Sequence, residues 1–116
     1  MYRSKKVAPK PRRRLAIDFD GVIHKYSRGF DDGTIYDPPV AGTRQTLTKL
    51  REKWWIFIYT VRADTKKGKQ AIEQYLKKYK IPFDEIVSHK PVAFAYIDDR
   101  AIHFKNWSQS VKDLNK

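Results

Sequence analysis

The run Trp54-Trp55-Ile56-Phe57-Ile58-Tyr59 most constrains what this chain can fold into. Six apolar residues without a polar break leave no side for water, and strands of that kind are the central strands of parallel sheets. A parallel neighbour needs a crossover, usually a helix, and the flanking sequence offers two. The pattern predicts one helix over Thr43–Lys53, with Val40, Leu47, Leu50 and Trp54 marking the buried side. It predicts a second over Thr65–Tyr79, where Ile72, Tyr75, Leu76 and Tyr79 recur at i, i+3, i+4 and i+7. Lys66, Lys67, Lys69, Lys77 and Lys78 decorate its outer side, and Pro82 stops it. Leu15-Ala16-Ile17, Phe83–Val87 and Ala93–Ile97 read as shorter strands, and Ser108–Leu114 as a last helix. Residues 22–37 read as a β-hairpin, with Asp32-Gly33 at its turn and Pro38-Pro39 closing it. Strands alternating with helices imply a three-layer α/β fold whose ligands bind at the carboxyl ends of the strands.

At 116 residues the chain has room for one domain. Its 3 Trp, 7 Tyr and 6 Phe suffice for a core, and the absence of cysteine excludes disulfides, thiolate metal sites and thiol nucleophiles. With no apolar run of membrane-spanning length and no signal-peptide pattern, a cytoplasmic protein is expected.

Charge is unevenly spread. Residues 1–14 hold seven of the 25 Lys and Arg and no acid, which leaves 18 basic against 13 acidic residues in 15–116. Pro9 and Pro11 fall in that stretch, so 1–14 reads as an extended basic arm and 15–116 as the domain. Such an arm either tracks the phosphates of a nucleic acid or an acidic partner, or serves as a solubilising tail.

Three of the apolar strands end in polar groups: Asp18 with Asp20, Thr60, and Asp98 with Asp99, while Lys90 falls on a loop between two strands. Alternate strand residues share a side, so Asp18 and Asp20 bring like charges together, a cost unless a cation lies between them. Carboxylates from parallel strands converging on one edge make an oxygen-only site, which points to Mg²⁺. Mg²⁺ with a lysine and hydroxyl or backbone donors is also what a phosphoryl group requires.

These positions resemble the four motifs of the haloacid dehalogenase (HAD) superfamily of phosphotransferases, over residues 15 to about 104. The first matches Asp18-Phe19-Asp20-Gly21-Val22, the second the strand ending in Thr60, the third Ser88-His89-Lys90-Pro91, and the fourth Ala95-Tyr96-Ile97-Asp98-Asp99. The resemblance implies a Rossmann-like fold with a central parallel sheet and a β-hairpin flap. It implies that Asp18 attacks phosphorus to give an aspartyl-phosphate, and that Asp20 is the general acid and then base. Thr60 and the backbone N–H groups after it, from Val61 on, would hold the phosphoryl oxygens, with Lys90 balancing charge. Asp98 and Asp99 would hold Mg²⁺ with Asp18 and the Asp20 carbonyl. Arg62, in Thr60-Val61-Arg62, is a candidate substrate contact or a surface arginine; Arg100 either pairs with an acid or binds substrate. His24, His89 and His103 are scattered and make no metal site, His24 lying in the expected hairpin. Trp54 and Trp55 read as core.

Members of that superfamily usually choose small substrates with a cap domain inserted after the first motif or between the second and third. Gly21–Thr60 and Thr60–Lys90 are too short for one, so the resemblance is to a small capless phosphatase with an open site. An open site suits phosphates on large molecules, or is closed by another subunit of an oligomer. With the basic arm and the lysine-rich second helix, the expected substrate is a nucleotide or nucleic-acid phosphate. The alternative is a nucleic-acid- or protein-binding module on the same scaffold, with little or no turnover.

Overall fold

β1 (Arg13–Asp18) and β2 (Trp54–Tyr59) pair in parallel along their whole length, from Arg13 opposite Trp54 to Asp18 opposite Tyr59. The structure, a computed structural model, describes residues 12–98 and 104–115. β3 (Glu85–Val87) pairs with the other edge of β2, and β4 (Ala95–Ile97) with the other edge of β1. The result is a four-stranded, all-parallel sheet in the order β3-β2-β1-β4, compatible with a Rossmann-like fold. The two long strands lie at the centre, as the unbroken apolar run of β2 requires.

The register sorts the strand residues by face. Leu15 and Ile17, Ile56 and Ile58, Ile86, and Ile97 point to one side. There they form a single core with Leu47 of α1 (Thr43–Leu50), Ile72 and Leu76 of α2 (Lys66–Lys78), and Trp107 of α3 (Trp107–Leu114). Burying each Leu or Ile contributes about 1.5–3 kcal/mol. Ala16, Phe57, Tyr59 and Tyr96 alternate onto the other side, and among the described residues no helix packs there. Of the expected three layers, the described residues form two. The physical reason lies in the return from β3 to β4, which must cross to the far edge of the sheet and is made by a helix-free loop over residues 88–94. α3 instead comes back beside α1, where the buried Trp107 Nε1–H donates to Thr43 Oγ1 at 2.8 Å.

Element ends follow from local chemistry. Thr65 caps α2, its Oγ1 accepting from the Gly68 N–H at 3.0 Å. At the other end Ile81 N–H reaches Leu76 O and Lys80 N–H reaches Lys77 O, a Schellman closure with Lys80 at φ +56°. α1 stops at Leu50, three residues before the expected end, because Glu52 and Lys53 bond back three residues to Lys49 and Leu50 in a tightened turn into β2. β1 starts at Arg13, not Leu15. Arg12 donates to Arg51 O at 2.9 Å and meets Asp84, which also accepts from Arg51 at 2.9 Å. The last three residues of the expected arm thus belong to the fold, and residues 1–11 lie outside the described residues.

The hairpin expected over 22–37 is replaced by an irregular loop. Beyond the isolated bridges Asp20–His24 and His24–Pro39 it carries no strand ladder. Tyr26, Gly29, Asp31 and Gly33 all have positive φ, which an extended strand cannot accommodate. Side chains serve the backbone instead: Asp37 accepts from Ser27 N–H, the Tyr36 hydroxyl from Arg28 N–H, and Asp32 from Thr34 N–H. The turn itself is present, closed by Gly33 N–H on Phe30 O at 2.8 Å.

Candidate active site

The carboxyl ends of β1, β2 and β4 carry the expected groups side by side. Asp18 and Tyr59 are register partners, and Asp98 follows Ile97, the partner of Ile17. Asp18 and Asp98 therefore end neighbouring strands at the same height. The Asp98 carboxylate is buried and accepts from the Tyr59 hydroxyl, while Lys90 Nζ stands 3.0 Å from its Oδ2. Lys90 also lies over the Tyr96 ring at 4.6 Å, which holds the ammonium above the helix-free face of the sheet. Asp18 Oδ1 accepts from the Phe19 N–H at 2.8 Å, a bond that turns the chain out of β1.

Asp20 sits one step beyond, with both oxygens engaged. His24 Nδ1 is 2.9 Å from Oδ1, and Arg62 Nε donates to Oδ2 at 2.8 Å. The far nitrogen of His24, Nε2, accepts the Asp37 N–H at 3.1 Å. A backbone N–H can only donate, so the ring hydrogen is on Nδ1 and points at Asp20. The imidazole has no exposed surface and lies against Phe19, Tyr36 and Tyr75. The Tyr75 hydroxyl donates to Asp37 O at 2.8 Å. Burial, above all, pushes this phenol well above its ordinary range, aided by Tyr79 and the Asp37 and Asp20 carboxylates. It stays a donor.

Thr60 is buried after β2 and opens a 3₁₀ turn, Val61–Asp64, its Oγ1 accepting the Arg62 N–H at 3.2 Å. The hydroxyl keeps its own hydrogen for another acceptor. Val61 is exposed at the start of that turn. Arg62 is no surface arginine: its side chain is 9% exposed, and besides Asp20 it binds Gly33 O at 2.5 Å. Asp18, Tyr59, Asp98 and Lys90 thus gather at one end of the sheet, and Asp20, His24, Arg62 and Gly33 form a second, linked set. His89 is on the surface loop near Ser88. Asp99, Arg100 and His103 lie outside the described residues.

Sequence reasoning passed over two of these groups. Tyr59 ends an apolar run and reads as core, yet period-2 alternation from Phe57 places it on the helix-free side with its hydroxyl at the acid. The Gly33 carbonyl has no sequence signal at all.

The donor set fits a hard divalent cation in kind, since two carboxylates end adjacent strands with no sulfur ligand near. Among the described residues, however, no group of three His, Cys, Asp or Glu side chains stands close enough to hold a metal ion. No helix of the described residues is long and apolar enough to cross a membrane. No family model, no curated protein and no solved structure matches the chain.

Proposed function

We propose that this chain is a Mg²⁺-dependent phosphomonoester hydrolase of the HAD type, acting in the cytoplasm on nucleotide or nucleic-acid phosphates. The observation that carries the reading is the meeting of Asp18, Asp98 and Lys90 at the carboxyl edge of a parallel sheet, with Asp20 and Thr60 on the loops that leave it.

An Asp18 oxygen attacks phosphorus as the bond to the ester oxygen breaks, leaving the phosphoryl group on Asp18. Asp20 delivers a proton to the departing oxygen, then takes one from the water that cleaves the acyl phosphate. Each Asp20 oxygen accepts one hydrogen bond and keeps a second lone pair for the travelling proton. His24, held on its other side by Asp37, and Arg62 keep the carboxylate aimed. Thr60 Oγ–H and the N–H groups opening the 3₁₀ turn donate to phosphoryl oxygens, and Lys90 supplies a positive charge beside Asp98. Asp18 and Asp98, with Asp99, would hold Mg²⁺, which would offset the charge of the incoming phosphate.

The test is phosphate release from p-nitrophenyl phosphate, nucleoside monophosphates and 5′- or 3′-phosphorylated oligonucleotides. Release that depends on Mg²⁺ and is lost in Asp18→Asn is expected. Silence across the panel from folded protein sinks the reading.

A second reading, a nucleic-acid-binding module, draws on the helix-free face. There Arg12 covers the half-buried Trp55 at 4.8 Å and Lys90 covers the half-buried Tyr96, so cations and rings lie together as on single-strand-binding surfaces. Salt-dependent oligonucleotide binding that survives Asp18→Asn and weakens on deletion of residues 1–11, with no turnover, would favour it.

A further inference from the structure

A cavity of about 600 Å³ opens between α2 and the loop that carries Phe30 and Gly33, within the size range of small-molecule sites. Three cations line it, Arg62, Lys67 and Lys78, and no acidic residue does. Between them the walls are Phe30, Ala71 and Tyr75. Lys67 and Lys78 stand eleven residues apart on one helix, about 16 Å along its axis, so the cavity is a groove with positive ends and an apolar, aromatic middle.

Arg62 ties this groove to the candidate active site. Its Nε serves Asp20 and its Nη1 serves Gly33 O, yet among the described residues its buried Nη2 has no partner. A buried guanidinium nitrogen left unpaired is costly, and an anionic oxygen arriving there would recover that cost. Phe30 stands beside this guanidinium. That ring is 5.7 Å from the Arg62 Cζ and 62% exposed, so it can turn aside at little cost in buried area. A turned ring is then available to stack on a planar group.

We propose that this groove binds a nucleoside 5′-phosphate, with the phosphate at Arg62 and Lys67 and the base against Phe30 and Tyr75. Charge alone would recruit any anion, and the aromatic walls alone any planar ring. A phosphorylated nucleoside carries both, and Lys78 adds positive charge at the far end for a longer strand. The binding step stands without turnover; only its purpose, bringing the phosphate at Arg62 next to Asp20, rests on the phosphatase reading.

Isothermal titration calorimetry on the full chain in Mg²⁺-free buffer tests it, with AMP, adenosine, inorganic phosphate and the 5′-phosphorylated dinucleotide pApA as probes. AMP is expected to bind roughly tenfold more tightly than adenosine or phosphate. pApA binding more tightly still would identify a strand end as the source, and equal binding a free nucleotide. Ala71→Trp, at an exposed helix position, fills the groove and should weaken AMP by tenfold or so while the circular dichroism and melting temperature hold. AMP binding no better than phosphate, or unaffected by Ala71→Trp, overturns the proposal. Release from p-nitrophenyl phosphate with no AMP binding would overturn the groove alone, and AMP binding without any turnover the phosphatase alone.

Discussion

Arg62 donates from Nε to Asp20 at 2.8 Å and from Nη1 to Gly33 O, joining the exit of β1, the irregular loop and the 3₁₀ turn after β2 through one guanidinium. Arg62→Ala leaves the Gly33 carbonyl without this donor and Asp20 with His24 alone. A charge-assisted bond of this kind contributes about 1.5–3 kcal/mol. The urea midpoint should fall accordingly, and a midpoint equal to wild type would mean that the loop is held by other contacts.

Gly68 behaves against the usual rule for helices. Alanine in place of glycine inside a helix ordinarily stabilises by about 1 kcal/mol. Here an added Cβ would lie 1.8 Å from the Arg62 carbonyl oxygen, a backbone atom that cannot swing aside. Gly68→Ala is expected to lower the melting temperature, and because the displaced residue is Arg62, to weaken its hold on Asp20 as well. A stabilised variant would refute the close approach.

Lys80 offers the opposite sign. It closes α2 at φ +56° with a side chain that disfavours that region. Lys80→Gly removes this strain and should gain about 0.5–1 kcal/mol in chemical denaturation; a loss would mean that the lysine makes a compensating contact.

Asp98 is buried, and Lys90 is the cation beside it. Lys90→Met removes this cation from a buried carboxylate and should destabilise the fold by about 1–3 kcal/mol. If the proposed function holds, phosphate release should drop by about 100-fold or more. Loss of stability with undiminished release would remove Lys90 from the chemistry.

Two carboxylates of the irregular loop make it acid-sensitive. Bonding from Ser27 holds Asp37 below its ordinary value of 3.8, and bonding from Thr34 does the same for Asp32. A depressed folded value means that each contributes stability above 3.8 and loses it as pH falls through the folded value. The Ser27 and Thr34 amide resonances should therefore shift together in acid below 3.8, and Asp37→Asn should abolish the shift at Ser27 only. Invariant amides would show that these bonds do not depend on ionised carboxylates.

How far the sequence went can be judged from particular stretches. Trp54–Tyr59 and the i, i+3, i+4, i+7 pattern of Ile72 to Tyr79 carry their structure in their own residues. Continuous burial and a 3.6-residue period are local properties, and both elements appear within a residue or so of the expected bounds. Strand ends at Asp18, Tyr59 and Ile97 were equally legible, because the change from apolar to charged residues marks where the sheet meets water. The loop over 22–37 misled. Its β-forming residues and Asp32-Gly33 satisfy a hairpin pattern, but side-chain bonds from Asp32, Tyr36 and Asp37 take the place of a ladder, with Tyr75 bonded to Asp37 O and edge-on to His24.

The sequence by itself determined a parallel α/β sheet and the set of polar residues at its carboxyl edge, since period and polarity are written along the chain. Only the tertiary structure decided that the three helices of the described residues crowd one face, that His24 and Arg62 share Asp20, and that Tyr59 reaches Asp98. Those outcomes depend on which residues meet across separations of up to 64 positions, as for Thr43 and Trp107. Such contacts are chosen by the packing of the whole core, and no local pattern records them.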